Sequence, residues 1–510
     1  MISILCHLRT IACVNKIWPR VCRPHRSGMR PRSILEQSVK SACGYFLILS
    51  PVSCVLSGCN GGLNVRVIFR GMRRYILLIA SLLSFSASAQ QSLHWLPKET
   101  LSTSMGANRP RVTTDGYQMP VVIWGEGANL IAGAGNQLFF DRVDTLNLPG
   151  QMVSISYWHG PELAGTGDTL YAVYKVAPEA DTSHHIYCVA TFDGGQNWMA
   201  PRRVDYIGNH MGRLPTVAKG PGGHPVVAFM LSDLNYMEPQ WVIATSSDYG
   251  QTFDSPVQVS GDNAPNAEAC DCCPAALAVT GSTVHLAYRD NVSNVRNIRV
   301  ASGLWQDSVY TSMGVDPQTW IVNSCPASGP DVATLGDSLY ATFLNASQAD
   351  DVFLSRWQHG DTTVHIQGMS SSSLAQNYPR IDAQLWSGGT FTRSAVWKTG
   401  AGTQAKIQAK IEHWGLPFWV DLDTGTVNVP DVAVSGQGVY FVWHEVLEKR
   451  IYLKRAYFQV IGLEEPQGPT NRVLTHVVDL YGRQVDPVNL PAGVYIFWYS
   501  DGSFEKRFIL

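Results

Sequence analysis

Charged side chains are scarce in these 510 residues: Asp, Glu, Lys and Arg together make up 15%. Long surface helices need a solvated charged face, so the scarcity argues against a helical protein. Long apolar runs are lacking too, since the clearest, Ile76–Phe85, is too short to span a membrane comfortably. From Gln90 onward there is no basic surplus: 26 basic and 39 acidic residues give a net charge of −13, while residues 1–89 hold 12 Lys/Arg and one acid. A phosphate backbone would require the opposite sign, which excludes nucleic acid as a partner. None of the zinc-protease, nucleotide-loop or Ser-hydrolase patterns stands out.

What is plentiful is Gly, Trp and Tyr, at 45, 15 and 20 residues, a mixture that suits short strands and tight turns. One pattern recurs along the chain: an apolar strand, a Gly/Asp turn, a strand rich in Val, Tyr and Trp, and a third alternating strand. Clear copies begin at Pro215, Pro274, Pro330, Pro379 and Pro430, and weaker ones near Arg109 and Pro161. Their second strands are Val121–Trp124, Leu170–Tyr174, Val226–Met230, Val284–Tyr288, Leu339–Phe343, Phe391–Trp397 and Val439–Trp443. A period of about fifty residues is that of four-stranded propeller blades, and seven units can be counted. The expectation is an all-β chain with a β-propeller over residues 90–460. Its last unit offers only three strands, so the unpartnered segment Leu93–Leu96 is expected to complete that sheet and close the ring.

Before the repeat, Met72-Arg-Arg-Tyr, the apolar run and Ala87-Ser88-Ala89 read as a secretory signal peptide over 72–89. Residues 1–71 are then an upstream extension. A lipidation box at Leu56-Ser57-Gly58-Cys59 is the alternative, and both readings send the chain out of the cytoplasm. No transmembrane span is expected in the mature chain.

Ser246-Ser-Asp248-Tyr-Gly250-Gln-Thr252-Phe253 resembles the Asp box of sialidases and related propellers, with a divergent copy at Asp193, Gly195 and Trp198. Such a box is a folding device: its Asp accepts turn N–H groups, its Gly takes positive φ, and the aromatic packs below. The resemblance brings in the six blades typical of sialidases as the alternative to seven. The segment Cys270-Asp-Cys272-Cys273-Pro274 with Cys325-Pro resembles that of a group of exported bacterial sialidase-like proteins. Residues 471–510, including Val477-Val-Asp479-Leu-Tyr-Gly482 and Leu490-Pro-Ala-Gly493-Val-Tyr495, resemble the C-terminal sorting domain of the type IX secretion system of the Bacteroidetes group. That likeness implies a small β-sandwich-like module, contact with the secretion machinery, and a secreted or outer-membrane surface location. Residues 461–470 would be the linker.

A sialidase holds its substrate carboxylate with three arginines, because planar forks match a carboxylate. The candidates are Arg111, Arg213, Arg289 and Arg380, each of which could equally pair with a blade-start acid such as Asp331, Asp382 or Asp431. Tyr378 and Glu162 are the candidates for the nucleophile and its carboxylate partner. Cys270, Cys272, Cys273 and Cys325 precede successive inner strands. In an oxidising compartment they would form disulfides, with Cys325 stapled to one of the cluster, and thiolate metal binding is the sharper alternative. Cys188 makes the mature cysteine count odd. The resulting expectation is a monomeric sialidase-like propeller that engages a glycan or glycoconjugate, as an exo-α-sialidase-type glycoside hydrolase or a relic of one. The alternative is a non-catalytic binding or surface propeller, and less favoured is a metal-dependent protein using the cysteines with His159 or His285. No cofactor is expected unless metal sits at the cysteines.

Overall fold

The computed structural model describes residues 90–461 and 474–509, except 103–105, 136–139, 180–182, 262–267, 317, 350, 371, 387–388, 480–482, 488–489, 491–492 and 501–503. The expected upstream extension, signal peptide and nearly all of the expected linker lie outside the described residues. Among those described, the regular elements are strands and short 3-10 turns, and no helix is long and apolar enough to cross a membrane.

Each repeat unit is an antiparallel meander. The innermost strands are Ala107–Thr114, Glu162–Thr166, Met211–Lys219, Ala276–Thr280, Asp331–Leu335, Gln376–Leu385 and Val427–Val434. All seven line one central channel of about 290 Å3. The first two units are continuous through a single parallel pair, Thr114 with Thr166. The last unit supplies Val427–Val434, Gly438–Glu445 and Arg450–Ile461, and its fourth strand is Gln90–Trp95, running antiparallel from Gln90↔Ile461 to Trp95↔Ala456. The N-terminal strand therefore closes the final sheet, as the unpartnered Leu93–Leu96 led us to expect.

Packing follows from side-chain alternation. In Pro225–Ser232, Val227 and Phe229 join the apolar cluster with the preceding unit, while Val226, Ala228 and Met230 join the one with the next. A comparable cluster lies at each of the seven junctions, and the last joins Tyr440, Val442 and Leu453 to Val112, Val122 and Trp124 of the first unit. Trp124, Trp241, Trp397 and Trp443 are fully buried at the junctions.

Carboxylates stitch the inner ring. Asp331 Oδ2 accepts the Ile381 N–H (2.8 Å), Asp382 Oδ2 accepts that of Val434 (2.8 Å), and Asp431 Oδ2 accepts that of Val112 (2.9 Å), the last bond running across the closure. Each satisfies a buried inner-strand donor that no strand pairing reaches.

Four inner strands also share a bulge, between Asn108/Arg111, Arg213/Thr216, Asn377/Arg380 and Asn428/Asp431. In each, a non-glycine residue with positive φ precedes a proline: Arg109 (49°), Leu214 (52°), Tyr378 (52°) and Val429 (40°). The proline brings no N–H to the interrupted ladder, and the residue before it is already steered from the right-handed helical region. Such backbone conformations are costly and tend to gather at functional sites.

The two Asp-centred turns close on themselves. Asp248 accepts the Thr252 N–H at 2.9 Å and its hydroxyl at 2.7 Å, Ser246 bonds Asp248 and the Gly250 N–H, Gly250 has φ 84°, and Phe253 is buried. Asp193 does the same with Asn197, beside Gly195 (φ 87°) and the half-buried Trp198. In the tail, the described residues form one sheet in the order Gln484–Val485, Leu474–Asp479, Gly493–Tyr499, Phe504–Ile509, with no second facing layer of the expected sandwich among them.

Candidate functional site

The bulges turn the ends of several inner strands toward one mouth of the channel. A small recess there is lined by Arg109, Arg111, Trp158, Tyr378, Arg380 and Val429, among others, so it gathers three of the four strained bulge residues.

Glu162 opens the second inner strand and is almost wholly buried. Three guanidiniums clasp it: Arg109 Nη2 donates to Oε1 (2.6 Å), Arg111 Nε and Nη2 donate to Oε2 and Oε1 (2.7 and 3.0 Å), and Arg380 Nη2 donates to Oε2 (2.8 Å). Arg380 Nε also donates to Asp431 Oδ1 at 2.9 Å and lies 3.5 Å from Asp331 Oδ2. Burial pushes the Glu162 carboxyl up, but Arg111, Arg380 and Arg109 together outweigh it and hold it well below the usual carboxylate range. Arg380 is in turn held more firmly protonated by Asp331, Glu162 and Asp431, against the effect of burial. Around Arg109 space is tight: a Cβ on Gly160 would lie 2.6 Å from Arg109 Cδ.

Three arginines thus converge at one mouth, but two of the four expected ones are elsewhere. Arg213 donates to Glu179 Oε2 (2.8 Å) and to the Asp271 carbonyl (3.2 Å), and stacks on Tyr236. Arg289 is fully buried, donates to the carbonyls of Ser328, Leu344 and Arg296, and lies over Trp320. Arg109 takes the third place. The signal for it was its position just before the blade-start proline, a place that only the bulge makes inward-facing. Glu162, a candidate for the nucleophile or its carboxylate partner, is the counter-ion of the three arginines.

Tyr378 is at the mouth, where burial, with Tyr157 pushing the same way and Arg109 opposing, raises its phenol to about 12. A neutral phenol is a poor nucleophile at pH 7. Close by, His159 Nδ1 lies 3.7 Å from Glu179 Oε1, which also accepts from Ser154 at 3.3 Å. Burial draws the His159 imidazole down to about 4, against the pull of Glu179, so it is neutral at pH 7. Glu179 was missed by sequence reasoning because no motif surrounds it.

The inner ring also sets a pH dependence. Burial raises the Asp382 carboxyl to about 6, whereas an unfolded Asp titrates near 3.9. The native state therefore holds this proton longer, so stability from this group is full below about pH 4 and declines as pH rises through about 6. Asp382→Asn is expected to flatten the dependence of melting temperature on pH between about 4 and 7. Equal slopes in variant and wild type would refute the assignment.

At the cysteines, Cys272 and Cys325 form a disulfide, as expected for Cys325 and one member of the cluster. Cys270 and Cys273 are buried thiols whose sulfurs lie 2.9 Å apart, and Cys188 is a buried free thiol in another unit. His285 is buried, hydrogen-bonded to Ser302 and edge-on to the His359 ring at 5.4 Å, and is not part of the sulfur cluster.

No protein-family model and no curated protein matches the chain. Solved structures that resemble it include a polysaccharide lyase of the PL25 ulvan lyase family, 9% identical with a TM-score of 0.45, covering 70% of this chain and 95% of that one. Another is the Trypanosoma rangeli sialidase bound to the inhibitor DANA, 9% identical at a TM-score of 0.42, covering 71% of this chain and 59% of that one. A third is an α-L-arabinanase of Penicillium chrysogenum bound to arabinobiose, 14% identical at a TM-score of 0.41, covering 58% and 92%. At such identities and scores the likeness carries neither an activity nor a substrate.

Proposed function

We propose that this chain is an exported, seven-bladed, carbohydrate-engaging propeller whose channel mouth takes an uncharged sugar ring and does not hydrolyse sialosides. One observation carries the choice of ligand charge. The three guanidiniums of Arg109, Arg111 and Arg380 are matched by the three carboxylates of Glu162, Asp331 and Asp431. The cluster offers a ligand carboxylate no surplus positive charge, and a sialic acid would have to displace a buried Glu162 from three partners. Trp158 and Tyr378, which line the recess, are the aromatic side chains assigned here to stacking on the apolar face of a sugar. Export rests on the signal-like segment 72–89 and on the sorting-domain likeness of 471–510, and sialidase-like ancestry on the Asp boxes.

The second reading is an exo-α-sialidase, favoured by the convergence of three arginines and a tyrosine at one mouth. Two measurements separate the readings: hydrolysis of a fluorogenic α-sialoside, and binding to a panel of neutral and sialylated glycans. We expect no sialoside turnover, and neutral-glycan binding weakened about tenfold or more by Trp158→Ala, a loss of about 1.4 kcal/mol. Sialoside hydrolysis abolished by Arg380→Ala in a folded chain would replace the neutral-sugar reading with the sialidase one.

A further inference from the structure

The sulfur cluster takes no part in the mouth's chemistry as described, yet it is built from two segments brought together across a blade junction. Cys270, Cys272 and Cys273 precede the fourth inner strand and Cys325 precedes the fifth, and all four sulfurs lie within 4.8 Å of one another. The loops are pressed together: a Cβ on Gly329 would come within 1.9 Å of the Pro274 carbonyl oxygen, so this approach requires glycine.

The four sulfurs have unequal surroundings. Cys270 and Cys273 are fully buried, Cys272 is half-buried and Cys325 is exposed. Cys270 Sγ lies 3.7 Å from the disulfide sulfur of Cys272 and 2.9 Å from Cys273 Sγ. Arg296 Nη1 donates to Cys270 Sγ at 3.0 Å, and the Ala327 N–H donates to Cys325 Sγ at 3.3 Å. Its hydrogen bond with Cys273, aided by Arg296 and Arg289 and opposed by burial, draws the Cys270 thiol down to about 6, while burial and that same anionic neighbour push the Cys273 thiol up. The Arg296 contact thus favours the thiolate form at Cys270, and Cys273 is cast as the reserve thiol.

We propose that these four cysteines form one thiol–disulfide exchange centre, with Cys270 as nucleophile, Cys325 as leaving group and Cys273 as resolving thiol. In the first step the Cys270 thiolate attacks Cys272 Sγ. The Cys270–Cys272 bond forms, the Cys272–Cys325 bond breaks, and its electron pair leaves on Cys325, where the Ala327 N–H stabilises it. In the second step Cys273 gives its proton to the Cys325 thiolate and attacks Cys270 Sγ. The Cys270–Cys273 bond forms and Cys272 departs as the thiolate. One disulfide, one thiolate and one thiol are present before and after, so no external oxidant is consumed. The isomer formed buries its disulfide and turns a reduced pair, Cys272 and Cys325, toward solvent, where it can exchange with a disulfide-bearing compound.

The test uses the full chain prepared with one disulfide, quenched in acid, alkylated and mapped by peptide mass. In wild type, Cys325 is expected to be alkylated in at least about a tenth of the chains, matched by Cys270–Cys273 disulfide. Cys273→Ser should abolish the Cys270–Cys273 disulfide and leave Cys325 labelled only to the extent that Cys270–Cys272 is found, and Cys270→Ser should reduce Cys325 labelling to background. Because either buried change could disturb folding, label at the buried Cys188 reports unfolding. The exposed-end variant Cys325→Ser provides an independent arm, expected to leave Cys270–Cys273 as its disulfide with Cys272 labelled. Cys325 unlabelled in both wild type and Cys273→Ser, with Cys272–Cys325 the sole disulfide, would overturn the proposal. So would a tightly bound metal ion that shields all four sulfurs until it is chelated.

Discussion

Glu162→Gln is expected to lower the unfolding free energy by about 3–5 kcal/mol at pH 7, the cost of removing one partner from a buried charge cluster. The carboxylate receives four hydrogen bonds from three arginines, two of which are as buried as itself. Glutamine keeps the shape but leaves three guanidiniums crowded around a neutral amide. The pH dependence has a definite sign. Because the native carboxyl titrates below its unfolded value of about 4.3, its stabilisation is full above that pH and is lost progressively as the pH falls below it. Urea unfolding of both proteins should therefore show a large gap at pH 7 that narrows toward pH 3. A gap under about 1 kcal/mol at pH 7 would mean that the clasp does not anchor the ring.

Deleting residues 90–100 should cost a comparable amount. The segment supplies the fourth strand of the last sheet, and Leu93 and Trp95 pack onto its cluster, with the Trp95 ring 6.1 Å from that of Phe441. Full burial of two such side chains would contribute about 3–6 kcal/mol, and their partial burial here contributes a fraction of that. The deletion also removes Glu99, whose Oε2 accepts a hydrogen bond from the fully buried Arg455 at 2.9 Å. A melting temperature lowered by many degrees, or a chain recovered only as aggregate, is the expected outcome. An unchanged melting curve would show that the ring is held closed without its N-terminal strand.

Much of the architecture was legible because it is written in short-range patterns. Alternating Val, Tyr and Trp residues mark second strands, and Pro followed by apolar residues marks inner ones, since each strand's two faces must meet two neighbours. The turn at Asp248 could be read from eight residues because all its bonds are local. Long-range pairing was legible once, where a unit short of a strand and a strand without a unit implied each other.

The arginine cluster was only half visible. Arg111 and Arg380 stood out near strand starts, but Arg289, similar in the sequence, is taken up by backbone carbonyls. Arg109 reaches the mouth because a bulge with positive φ reverses the direction its side chain would otherwise take. The sequence by itself determined the repeat, the strand faces, the closing strand and the adjacency of the cysteine segments, because each follows from periodicity and from the need to bury apolar surface. Only the tertiary structure decided which arginines meet, that Glu162 is their shared partner, and which cysteines pair. Those outcomes depend on angstrom-scale distances between side chains far apart in the chain, and no local pattern records them.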